Sequence, residues 1–281
     1  MGKGKILDEN VVVVICIKGE LSLDIFLYLQ CHFAAFYTAM KYIILIAIVT
    51  FFLSAQAQEF NKSVNKDSLL NASIKDLPPD LKADLLKQYQ AESESDKEFL
   101  LFMLSMPRSS KKLMIKNIES NYANINRLKV EYSKLAPQNY EVSIEFNPAN
   151  KNFNIPESID LRITKNENKE TTVSQEWQLA YDSPKLKEML QTIGWSNETL
   201  KTIKKLLHEA NCVSIQNGKV TEIGFARSGM GKYSYQIFDH DLTKLEVKQN
   251  NDGCTSIFYK KNIVLEYGGG AVGPQCFYEV K

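Results

Sequence analysis

Polar and apolar positions alternate through residues 140–146, with Val142, Ile144 and Phe146 on one side, and again at Ile159, Leu161 and Ile163. A period of two predicts strands with one buried face. Residues 173–181 follow the same rule with local irregularity, placing Val173, Trp177 and Leu179 together. Residues 212–216 and 219–226 flank Asn217-Gly218, a dipeptide that favours a two-residue hairpin turn because both positions take positive φ. Residues 232–238 predict a further strand, and residues 255–259 and 263–267 a second hairpin.

The period changes to that of a helix elsewhere. After Pro79, Leu81, Leu85, Leu86 and Tyr89 share a face. Residues 99–106 are nearly all apolar, and Pro107 ends that run. Residues 109–135 are amphipathic, with Ile118, Ile125 and Tyr132 spaced by seven, as are Leu128 and Leu135. This seam suits a short coiled coil or a helix packed within its own chain. Asn121 interrupts it, which favours the second. Ser183-Pro184 opens a helix with the face Leu186, Met189, Leu190 and Ile193, stopped by Gly194. Ser196 or Asn197 caps another, with Leu200, Ile203, Leu207 and Ala210 inward. Strand runs joined by hairpins and punctuated by two helices predict an α+β fold: a helical N-terminal region, then an antiparallel sheet with two helices packed on one face.

The first 57 residues read differently. Lys41, the apolar run from Tyr42 to Leu53 and Ala55-Gln56-Ala57 match the n-region, h-region and A-x-A site of a secretory signal. Cleavage would expose Gln58. Residues 1–39 contain apolar runs without turn signals and are best explained by a start assigned too early, with Met40 the true first residue. The division expected is therefore 1–39 upstream, 40–57 signal peptide, 58–76 mobile polar leader, 77–136 helical region and 137–281 α+β domain. The protein should be periplasmic or secreted, with no stable membrane anchor once the signal is removed.

Composition narrows the function by exclusion. The formal net charge is +1, and the signal and upstream segment contain equal numbers of basic and acidic residues. A near-neutral chain argues against nucleic acid as a partner. Cys212, Cys254 and Cys276 follow the signal, so an oxidising compartment would pair two and leave one. Sequence does not choose between pairings. Cys212–Cys276 is marginally preferred because it would tie down the C-terminal tail, with Cys254–Cys276 its competitor.

Several motifs invite chemistry. The segment Gly224–Tyr235 approaches a phosphate loop, but Ala226 and Tyr233 replace the required Gly and Ser/Thr, and a strand follows where a helix is needed. It reads instead as a turn with Arg227 or Lys232 at its tip. The Gly268–Gly270 run is followed by Pro274 and too few residues for a dinucleotide-binding helix. His208 with Cys212, or His240 with Asp239 and Asp241, could be assembled into a metal or nucleophile site, yet neither has a recognised ligand or triad spacing. No metal or cofactor is expected. Glu222, Asp239, Asp241 and Glu266 lie near strand ends, where acid–base pairs can form.

The function expected is a monomeric, non-catalytic binding protein for an unknown ligand or envelope partner. Its contacts would come from the two Gly-rich segments and neighbouring aromatics: Arg227, Lys232, Tyr233, Tyr235, Tyr267, Gly268, Gly269, Gly270 and Phe277. The alternative is a small envelope hydrolase with acid–base residues not identifiable from sequence.

Overall fold

A computed structural model describes residues 60–165, 171–268 and 276–277. The expected signal segment, the residues upstream of it and Gly269 and Gly270 lie outside them. The described chain belongs to one compact unit with the α+β architecture expected.

Three helices come first: α1 (Lys66–Ile74), α2 (Pro79–Ala91) and α3 (Glu94–Ser105). Each begins where the sequence supplies a start: the Asn65 side chain accepts from the Ser68 N–H, Pro79 occupies the first position of α2, and Ser93 caps α3. Leu70, Ile74, Tyr89 and Leu101 bury one face of this group against Phe60 and Phe153. Phe153 comes from the loop after the first strand, and its ring meets Phe60 at 5.3 Å and Phe102 at 5.2 Å. Residues 58–76 were expected to be a mobile leader, but α1 lies within them because Leu70 and Ile74, four apart, give it a buried stripe.

The long helix α4 (Lys111–Leu135) follows, then strands β1 (Tyr140–Asn147), β2 (Ser158–Lys165) and β3 (Thr171–Leu179). Helices α5 (Pro184–Thr192) and α6 (Asn197–Ala210) precede β4 (Ser214–Gln216), β5 (Thr221–Ser228) and β6 (Gly231–Ile237). A short helix α7 (Lys244–Gln249) and strands β7 (Ser256–Lys260) and β8 (Ile263–Gly268) complete the order. The strands form one antiparallel sheet, β3-β2-β1-β4-β5-β6-β8-β7. Val142, Ile144, Ile159, Leu161, Ile163, Ile215, Ile223, Tyr235 and Leu265 line its inner face against α4, α5 and α6.

The seven-residue seam of α4 is buried in this same core: Ile118, Ile125 and Leu128 are fully buried and Tyr132 nearly so. The helix therefore joins the sheet's core, and the expected division at residue 136 does not separate two cores. Asn121 has non-helical backbone angles and marks a kink. Beside it, the buried Asn117 ties three elements together. Its Oδ1 accepts from Asn121 Nδ2 at 2.7 Å and Asn211 Nδ2 at 3.0 Å, while its Nδ2 faces the Ala210 carbonyl and Tyr235 Oη, each at 3.3 Å.

Two turn expectations change. Asn217-Gly218 lies in a four-residue connection, and neither residue has positive φ. The Asn217 side chain acts as a strand extension, accepting from Val142 N–H at 2.7 Å and donating to the Tyr140 carbonyl at 2.9 Å. That engagement with β1 holds it out of a tight turn. The two-residue connections occur instead at Gly229-Met230 and Lys261-Asn262, where Gly229 and Lys261 take the positive φ.

The disulfide joins Cys254 to Cys276, which corrects the preference for Cys212–Cys276. Cys212 is buried and unpaired, held beneath the end of α6 with its thiol directed to the Ala210 carbonyl at 3.4 Å. The segment carrying Cys276 runs beside Cys254 instead, and the Phe277 N–H donates to the Cys254 carbonyl at 2.9 Å.

Candidate functional site

Alternation sends every second strand residue to the face opposite the core, and there the sequence is polar. Ser143 and Glu145 on β1, Asp160 and Arg162 on β2, Gln216 on β4, Glu222 and Arg227 on β5 and Lys232 on β6 line a groove of about 260 Å³. Glu145 is the most enclosed of these, its side chain only 8% exposed. Its carboxylate accepts from Arg227 Nε at 2.5 Å and lies 3.5 Å from Lys232 Nζ. Arg227 also faces Asp160 at 3.8 Å, and Lys232 faces Glu222 at 3.6 Å. A buried charge persists only when paired and hydrogen-bonded, so this carboxylate fixes both cations in place. Farther along, Arg162 donates to Gln216 Oε1 at 2.8 Å, and Gln216 donates to Glu141 at 2.5 Å.

A glycine makes the crowded centre possible. A Cβ on Gly224 would overlap Ser214 Oγ and lie 3.0 Å from Lys232 Cδ. Without it, Lys232 Nζ crosses β5 and donates to Ser214 Oγ at 3.2 Å.

The groove's outer wall is the edge strand β3, and here the register breaks. Leu161 pairs with Glu176 but Ile159 pairs with Leu179, so β3 carries an extra residue. The excess is absorbed at Trp177-Gln178, where Gln178 has a φ of 55°. Such a conformation is uncommon for a residue with a side chain. Asp160 holds it by accepting from the Gln178 N–H at 2.8 Å. Bulges re-aim side chains, and this one leaves Trp177 65% exposed at the groove wall. The expected inward face of β3 is corrected accordingly: Leu179 is buried, but Val173 and Trp177 are exposed.

The sequence-derived candidates divide between groove and core. Arg227 and Lys232 line the groove, although as paired residues and not as an exposed turn tip. Met230 is the exposed residue of that turn. Tyr233, Tyr235, Tyr267 and Phe277 are buried within the core. Tyr233 and Tyr267 stack with ring centres 4.4 Å apart, and Phe277 packs 5.6 Å from Tyr233. Tyr235 donates to the Met114 carbonyl at 2.7 Å, and burial pushes its hydroxyl pKa up. The two Gly-rich segments do adjoin: Lys232 pairs with Gly268, and the Tyr267 ring lies so near Gly231 that a Cβ there would meet it at 2.7 Å. Sequence reasoning missed Glu145 and misplaced Trp177. Glu145 occupies the polar half of a clean alternation, which is the only signal it carries, and the bulge has no signature in the residue types.

A larger cavity, about 690 Å³, lies where the start of α4, the end of α6 and the end of β1 converge. His208 and Cys212 both line it. Burial raises the Cys212 thiol to about 12, which leaves it protonated and a poor nucleophile at neutral pH. Among the described residues no His, Cys, Asp and Glu group is arranged to hold a metal, and no helix is long and apolar enough to cross a membrane. No family model, curated protein or solved structure matches this chain.

Proposed function

We propose that this is an exported, non-catalytic binding protein that holds a polyhydroxylated, uncharged ligand, a saccharide by chemical class, in the polar groove. The observation that carries this reading is Trp177, turned out of its strand by a bulge and presented beside a row of fixed hydrogen-bonding groups. An indole offers a flat, weakly polar platform suited to the C–H face of a sugar ring. Arg227 and Lys232 already face carboxylates and Arg162 an amide, so the groove offers little unmatched positive charge to a phosphate. It does offer donors and acceptors side by side, the complement of hydroxyl groups that both donate and accept. Export is supported by the signal-like segment ending at Ala57 and by the Cys254–Cys276 disulfide, which suits an oxidising compartment. The monomeric state is supported by the burial of Ile118, Ile125 and Tyr132 within their own chain.

The test is calorimetric titration of the purified protein with a panel of neutral oligosaccharides. Trp177→Ala should weaken binding about tenfold, Trp177→Phe should recover part of it, and the melting temperature should hold because the side chain is exposed. Failure of every neutral saccharide to bind, or equal affinity in Trp177→Ala, would refute the reading.

One observation favours the hydrolase alternative. Burial raises the Glu266 carboxyl, and neighbouring Glu222 raises it further. A carboxylic acid beside a carboxylate is the pairing that glycoside hydrolysis uses. Release of reducing sugar that disappears in Glu266→Gln would establish it over the binding reading.

A further inference from the structure

The 690 Å³ cavity differs in chemistry from the polar groove. Phe146, Val213 and Phe225 contribute apolar surface, and Leu113, half exposed on the first turn of α4, stands at its margin. Its charge is one-sided. Arg108 and Lys116 line it, both exposed and without an ion-pair partner among the described residues. The single carboxylate in its lining, Glu145, is already committed to Arg227 and Lys232. The wall is also anchored. The Gly229 N–H donates to the Pro107 carbonyl at 2.8 Å, and the Ser109 N–H to Ser228 Oγ at 3.2 Å, which fixes the segment bearing Arg108 to the β5–β6 turn.

An open cavity of this volume lies within the range that small ligands fill, and a largely apolar surface with a few polar groups is the usual composition of such sites. Two unmatched cations beside an apolar surface define the complement: an apolar body ending in an anion. We propose that this cavity binds an aliphatic carboxylate, with its chain against Phe146, Val213 and Phe225 and its head group at Arg108 and Lys116. The site adjoins the saccharide groove, with Glu145 and Arg227 lining both, but does not depend on that assignment.

Dodecanoate and dodecanol, kept below the concentrations at which they aggregate, probe the two halves of the claim. Dodecanoate should bind the purified protein saturably at one site. The double variant Arg108→Glu/Lys116→Glu should bind it about tenfold more weakly, while its melting temperature stays unchanged because both residues are exposed. Dodecanol should bind more weakly than dodecanoate and respond little to the double variant. Added salt should weaken dodecanoate and leave dodecanol nearly unaffected. The proposal is overturned if dodecanoate shows no saturable binding, if the double variant binds it equally well, or if the alcohol binds as tightly as the acid. Loss of dodecanoate binding in Trp177→Ala would place the ligand in the polar groove and overturn it as well.

Discussion

Reducing the Cys254–Cys276 bond should lower stability by an amount that follows from its position. The two residues are 22 apart. In the chain-entropy model, closing a loop of that length removes about 3 kcal/mol of freedom from the unfolded chain. For a protein of this size each kcal/mol moves the melting temperature by about 2–4 °C, so the variant Cys254→Ser/Cys276→Ser should melt roughly 10 °C lower. Part of the loss would come from Phe277, which the bond holds against Tyr233 and Tyr267. Scanning calorimetry with and without reductant measures the difference, and Cys212→Ser serves as the control because that thiol takes no part. Thiol titration of the unreduced, denatured protein should find one reactive group downstream of Ala57. Three free thiols in protein taken from an oxidising compartment, or no change in melting on reduction, would refute the reasoning.

Asp252 accepts from the Thr255 hydroxyl and from the Ser256 and Cys254 N–H groups, and these bonds hold its carboxyl at about 2. A carboxyl lowered by folding stabilises the native state above its ordinary range and loses that effect as pH falls toward 2. Asp252→Asn should therefore flatten the decline in denaturant midpoint between about pH 4 and 2. An unchanged acid limb would contradict this. Gly224→Ala should cost about 1–3 kcal/mol through overlap with Ser214, and Ser214→Ala in the same chain should return part of that. Strict additivity of the two substitutions would show that the contact does not exist.

The parts of the fold that could be read from the sequence are those decided locally. The alternation of Val142, Ile144 and Phe146 places β1 to within one residue, and Ser183-Pro184 and Ser196 give the starts of α5 and α6. Helix α7 was also available, since Thr243 and Glu246 form a capping box, but its six residues carry no apolar stripe to draw attention. What was not legible depends on partners distant in sequence. Asn217 leaves the tight turn because β1 offers it a carbonyl and an amide from 75 residues away or more. Trp177 leaves the core because β2 is one residue shorter than β3 over their shared span. The burial of the aromatics near the glycines was not legible because residue type does not reveal which face of β6 and β8 the core covers.

The bulge in β3 has a second consequence, for assembly. A terminal strand presents backbone donors and acceptors to any passing extended chain, and long, regular edges invite sheet-to-sheet joining. β3 has two breaks in its register and a left-handed residue near its end, so an incoming strand cannot stay in step along it. Removing Gln178 would close one of the two breaks and leave the other, between Ile163 and Thr164, in place. The ladder at that end would then run regularly, with Asp160 opposite Trp177, while the break farther along would still put an incoming strand out of step. The inserted residue thus makes the exposed border irregular at the same point where Trp177 stands exposed.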